Sequence, residues 1–205
     1  MTTIPSRIRP RRADVREQLL RAAAAAFLEH SYAEVSVTTI AAAAGFTKGA
    51  VYSSFGGKPE LFAAVVAEQF SSYIDGAVTD AMAAADGDGT QDAPRAVAAS
   101  LTRALVGHQR LPALLAEFRG LASRHPELAT VYADLRLRQR LELQELLASN
   151  AVRVRLSPEI DLAVAATLLL TCVNSFSLEH DAAPTSIPSP LIEAMLTHVL
   201  TGILA

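Results

Sequence analysis

Residues Val37–Lys58 read V-T-T-I-A-A-A-A-G-F-T-K-G-A-V-Y-S-S-F-G-G-K. The spacing predicts two short helices, Val37–Ala44 and Lys48–Phe55, joined by a corner at Gly45, Phe46 and Thr47. Gly45 stands where the first helix must stop, and a residue without a Cβ turns there in the left-handed conformation at little cost. Ala41 is small enough for the second helix to cross closely. Ile40, Ala44, Val51 and Phe55 are spaced to meet in one small core. At about 100° per residue, Val51 and Phe55 share one side of the second helix. Gly49, Tyr52 and Ser53 then face outward, with Thr47 and Lys48 at the exposed amino end.

That outward set suits a duplex. A recognition helix enters the major groove with its amino-terminal residues nearest the base edges. Lys48 reaches a phosphate or a guanine edge, Gly49 permits close approach, and Tyr52 offers a ring edge and a hydroxyl. Thr38 is placed to cap the first helix and to present a hydroxyl to the backbone of the nucleic acid.

With helix 1 before it and P-E-L-F after it, the stretch I-A-A-A-A-G-F-T-K-G-A-V-Y-S-S-F-G-G-K resembles the TetR family of transcriptional regulators. The close residue matches run from about Leu19 to Val66; the remainder matches in length and helical pattern. The resemblance implies a homodimer on a palindromic operator, usually a repressor released by a small ligand. By position, Thr38, Thr47, Lys48, Gly49, Tyr52, Ser53, Ser54 and Lys58 match the family's DNA-contacting positions. Ser54 departs from the His or Asn of many members, and Ser31 stands where a Gly usually follows helix 1. The fold class implied is all-α: a three-helix helix-turn-helix DNA-binding domain, then a helical ligand-binding and dimerisation bundle.

Composition agrees with a helical chain. Of the 205 residues 51% are hydrophobic and Trp is absent, which excludes disorder throughout and leaves room for a sizeable core. The net charge of −3 is unevenly spread: residues 1–60 hold 8 Lys and Arg against 5 Asp and Glu, residues 61–205 hold 10 against 16. A local +3 at the amino end is what attracts phosphate, whatever the total. One cysteine, Cys172, fits a reducing compartment. Arg7, Arg9, Arg11 and Arg12 are not followed by an apolar run, unlike a secretory signal. A cytoplasmic protein is expected.

The order along the chain is a basic flexible arm at 1–12, a DNA-binding domain at 13–58 and a regulatory and dimerisation domain at 59–205. The arm is a solvated tail or a strand reaching along the minor groove. Helix 1 is expected from Ala13 to His30. Pro59 at N1 opens a helix to about Ala85, roughly 40 Å long, with Val78 and Met82 ending its apolar stripe. Lys58, just before it, sits at a helix amino end suited to phosphate. Asp86–Asp92 reads as a loop without the ligand alternation of a calcium site. Helices follow at Pro94–His108, Leu111–Arg124 and Pro126–Leu147. Ser157-Pro158-Glu159 is expected to open a helix to about Glu179. Its run Leu162–Val173 is too short for a bilayer and apolar nearly all round, so a partner subunit is expected to cover it. The last helix is placed at Leu191–Leu204, and the resemblance pairs these final two helices with their symmetry mates.

No zinc spacing, P-loop, dinucleotide fingerprint or nucleophile elbow is present, so no cofactor and no enzymatic activity are expected. Leu101, Leu105, Leu115, Phe118, Arg119 and Tyr132 are candidates for a small-molecule effector pocket, because pockets combine apolar walls with a few polar groups. Plain core competes for each. Arg119 can meet an anionic ligand or a surface carboxylate, and Asn174 either sets register at an interface or is satisfied locally. The alternative overall reading is an all-helical interaction module or enzyme with a vestigial DNA-binding head.

Overall fold

A computed structural model describes residues 11–86, 93–107, 110–149 and 156–204. The described residues form nine helices, and the chain divides into two compact units, one ending at Val65 and the other starting at Val66. The basic segment before Arg11 and the loop after Asp86 lie outside the described residues, as do the side chains of Val78 and Met82.

The first unit contains α1 (Arg12–Glu29), α2 (Val37–Ala43), α3 (Lys48–Phe55) and the first turns of α4 (Lys58–Asp86). Leu19, Ala23, Ile40, Val51, Leu61 and Phe62 are almost fully removed from solvent and make its core. Phe62 holds its edge against the ring of Phe27 at 4.8 Å and meets Tyr32 at 5.1 Å. The turn after α1 is closed by Ser31, whose backbone N–H and hydroxyl both donate to Glu34 Oε2, at 3.0 and 2.9 Å. Those two bonds, the side-chain one first, hold the Glu34 carboxyl below its usual range. Ser31 therefore serves this turn with hydrogen bonds where a glycine would have served with backbone freedom.

Two starts differ from the sequence expectation. The cap of α2 is Ser36, whose Oγ accepts from the Thr39 N–H at 3.0 Å, and Thr38 stands exposed one residue inside the helix. The helix begins at Val37, which puts Ser36 at the one position whose side chain reaches the orphan amide of the third helical residue. Likewise α4 opens at Lys58, so Pro59 is its second residue rather than its first. Between α2 and α3, Gly45 takes φ +75° and the Phe46 N–H donates to the Ala41 carbonyl at 2.8 Å, closing α2 on a left-handed residue.

The second unit holds the rest of α4 with α5 (Ala93–Gly107), α6 (Arg110–Ala122), α7 (Pro126–Ser149), α8 (Leu162–Ala182) and α9 (Ser189–Thr201). α5 packs on α9, and α7 packs on α6 and α8. Phe70, Leu105, Phe118, Leu135, Ala165 and Ile192 are among its buried side chains. The Ser71 hydroxyl donates to Glu142 Oε1 at 2.8 Å and ties α4 to α7.

α8 starts later than Ser157-Pro158-Glu159 suggests. The Ser157 N–H donates to the Ile203 carbonyl beside an isolated Leu156–Leu204 bridge, which holds the segment extended. Asp161 is the cap instead, accepting from the N–H groups of Ala163 and Val164 at 2.7 and 3.2 Å. With its full 21 residues α8 is, by length and composition, apolar enough to cross a membrane, so its apolar run does not end at Val173. Only 28% of its most apolar window is buried within the chain, and Val164 and Leu168 are 57% and 42% exposed.

Ser36→Ala should lower the stability of the first unit by about 1 kcal/mol through loss of the cap. Gly45→Ala should cost about 1–2 kcal/mol through the left-handed backbone alone, since an added Cβ there meets no atom within 4 Å. Urea unfolding of the two variants measures both.

Candidate nucleic-acid interface

α3 is fixed by one side chain. Val51 is fully buried, while Lys48, Gly49, Tyr52 and Ser53 are exposed, Tyr52 at 48%. Ser54 and Phe55 are half-buried. Phe55 is therefore not wholly in the small core: the Arg16 guanidinium covers its ring at 4.7 Å from the centroid. Thr47 occupies the cap position in an extended conformation, yet its side chain caps nothing and is exposed. Ser53 Oγ donates to the Ala50 carbonyl at 3.1 Å, which leaves its lone pairs outward. Gly56 ends the helix at φ +99°.

The structure brings Thr47, Ser53 and Ser54 together in one open concavity with Arg12, Arg16 and Ala50. Lys48, Gly49 and Tyr52 are on the same short helix, with Lys48 Nζ 5.5 Å from the Tyr52 ring centroid. Thr38 is exposed on α2, and Lys58 stands at the start of α4 with Nζ 4.2 Å over the Tyr32 ring. Neither lines the concavity. Arg12 and Arg16 are additions to the sequence-derived set. Arg12 belongs to α1 rather than to an arm, and the four-residue spacing puts both guanidinium groups on one helix face. That spacing was the available signal.

The effector candidates divide in the second unit. Leu101 and Leu105 line an apolar cavity of about 70 Å³. Leu115, Arg119 and Tyr132 line a separate, more polar groove of about 120 Å³. Phe118 lines neither: it is fully buried, with its ring against Tyr132 at 5.4 Å, and is a core residue.

The family model "Bacterial regulatory proteins, tetR family" matches residues 19–65. Solved structures share the fold over more than nine-tenths of the chain. A transcriptional regulator from Rhodococcus sp. assigned to the TetR family is 17% identical, with TM-score 0.67, over 94% of this chain and 100% of that one. Another so assigned, from Mesorhizobium loti, is 21% identical, with TM-score 0.66, over 95% and 96%. A third regulator, from Rhodococcus sp. RHA1, is 20% identical, with TM-score 0.66, over 91% and 92%. No curated protein matches the sequence.

The burial pattern separates surface from core by a stability measurement. Tyr52→Ala should change the unfolding free energy by less than about 0.5 kcal/mol. Phe118→Ala should cost about 3–5 kcal/mol. Denaturant unfolding compares them directly.

Proposed function

Starting from a chain whose amino-terminal domain belongs to the tetR family of bacterial regulatory proteins, we propose a homodimeric, cytoplasmic transcriptional repressor that reads a palindromic operator and releases it on binding a small molecule. The observation that carries the reading is the orientation of α3: Val51 inward with no exposure, Lys48, Gly49 and Tyr52 outward. An anchored helix with its amino end free is the geometry that enters a major groove. In this reading Lys48 and Tyr52 meet base edges, Gly49 allows the approach, and Thr47, Ser53 and Ser54 contact phosphates. Thr38 and Lys58 flank them, and Arg12 and Arg16 extend the phosphate contacts onto α1. An added Cβ at Gly49 meets only Thr47 Oγ1, at 3.7 Å, an ordinary contact. The fold therefore has no steric need for glycine there, which leaves the approach of a ligand as its use.

The dimer is assigned to the last two helices because their apolar residues lack cover in a single chain: Val164 and Leu168 on α8, and Leu191, 41% exposed, on α9. Two heads then read half-sites about 34–36 Å apart, one helical turn of DNA. α4 is shared by the two units and transmits effector occupancy; coupling of this kind amounts to about 1–3 kcal/mol. The alternative, an all-helical enzyme or interaction module with a vestigial head, requires that duplex DNA not be retained in a salt-sensitive way.

Selection of bound sites from random duplexes, followed by titration at several salt concentrations, tests the reading. Lys48→Ala and Tyr52→Ala should each weaken operator binding by about 1–3 kcal/mol. Gly49→Ala should weaken it while leaving stability unchanged or slightly raised. Arg16→Ala should reduce the slope of log affinity against log salt by about 1. Unchanged affinity in both Lys48→Ala and Tyr52→Ala would take α3 out of the interface. For the dimer, Leu168→Arg should sediment as a monomer and lose operator affinity without unfolding; a dimer that survives this substitution places the interface elsewhere.

A further inference from the structure

Two neighbouring spaces in the second unit differ sharply in character. The first, the 70 Å³ cavity, is walled by Ile74, Leu101, Leu105 and Leu169 among others. Burial pushes the Tyr73 phenol in its wall up to about 12, a mark of how far that wall is removed from water. The second, the 120 Å³ groove, holds Arg119, Arg136 and Tyr132. Pro112 and Asn174 line both spaces, so they share a wall.

One buried hydroxyl beside this junction lacks the partner a finished core would supply. Ser177, one turn beyond Asn174 on α8, lines the apolar cavity at 1% exposure, and its hydroxyl has no hydrogen-bond partner among the described residues. Arg136 is aimed by a 2.7 Å hydrogen bond to Oε1 of the buried Gln139. Among the described residues neither Arg119 nor Arg136 has a carboxylate within ion-pair distance. Burial disfavours the Arg136 charge, Tyr132 favours it, and the nearby Arg119 charge, the smallest of the three effects, disfavours it. Two guanidinium groups near enough to repel, with no carboxylate between them, favour an anion.

We infer that the effector is a small amphipathic monoanion, its carboxylate held by Arg119 and Arg136 beside Asn174 and its short apolar body filling the cavity lined by Leu101, Leu105 and Leu169. The inference rests on the reading of the protein as ligand-responsive and narrows it to a chemical class. Size follows from the cavity: about 70 Å³ is near half of the roughly 150 Å³ that accepts benzene. The apolar body is thus a chain of a few carbons, slimmer than a ring. Charge follows from the arginines, which a neutral or cationic head would leave without compensation. In this arrangement the Asn174 amide stands where head and body join, since it lines both spaces.

The probes are hexanoate, 1-hexanol and hexylammonium, titrated by calorimetry into the full-length protein, with operator binding followed in parallel by fluorescence anisotropy. Hexanoate should bind, and the other two should bind at least about tenfold more weakly. Arg119→Gln, on an exposed side chain, should weaken hexanoate about tenfold or more without loss of stability. Leu101→Phe, which fills the cavity, should weaken hexanoate and 1-hexanol alike. Equal binding of hexanoate and 1-hexanol, indifference to Arg119→Gln, or no binding of hexanoate at millimolar concentration would each overturn the inference. Hexanoate that binds as expected yet leaves operator affinity unchanged supports the ligand class and overturns the release reading, so the two fail separately.

Discussion

An eight-residue helix cannot hold itself in water. α3 exists because Val51 is fully buried where α3 packs on α2, whose Ile40 and Ala41 are each about 1% exposed, and because glycines fix the turns around it. Gly45 at φ +75° sets the angle at which the chain leaves α2, and Gly56 at φ +99° stops α3 before the next helix. Once Val51 is inward, the 3.6-residue period leaves no choice about Gly49, Tyr52 and Ser53. The outward face is thus a consequence of the inward one, and the chemistry offered to a partner is set by packing behind it.

Three cations of the first unit lie against rings. Arg16 lies over Phe55, Lys48 near Tyr52 and Lys58 over Tyr32. Such contacts contribute only about 0.5–1 kcal/mol at exposed sites. They orient a charge without neutralising it, whereas a carboxylate would cancel the field that attracts phosphate. Arg21, by contrast, is paired with Glu17 at 2.7 Å, and it does not line the concavity beside α3. Among the described residues neither Arg16 nor Lys48, both beside or on α3, has a carboxylate within ion-pair distance.

What could be read from the sequence follows how local each determinant is. The limits of α3 are legible because Thr47 and Gly56 fix them within a few residues. The start of α8 is not, because Ser157-Pro158-Glu159 obeys the same local grammar while its amide is committed to the carbonyl of Ile203, distant in the chain. Arg16 escapes notice for the same reason: its ring partner Phe55 belongs to another helix. Periodicity marks Phe118 and Leu101 alike as inward, but only packing tells which inward residue meets other side chains and which meets empty space. The six effector candidates therefore divide into cavity, groove and core residues only once the packing is in view.

α8 shows why a helix can be apolar nearly all round without being buried all round. Ala165, Ala166, Leu169 and Leu170 close against the body, and Ser177 and Asn174 border a cavity. Val164, Leu168, Thr167 and Thr171 remain open. The threonine hydroxyls bond back to the carbonyls of Ala163 and Thr167 at 2.6 and 2.7 Å, so even the polar residues of the open face present methyl groups outward. A single amphipathic stripe would serve one of these faces and leave the others wet. Serving three at once requires apolar residues at almost every position. The feature that makes the helix resemble a membrane span is thus the sum of three separate faces, and a substitution on one face need not disturb the other two.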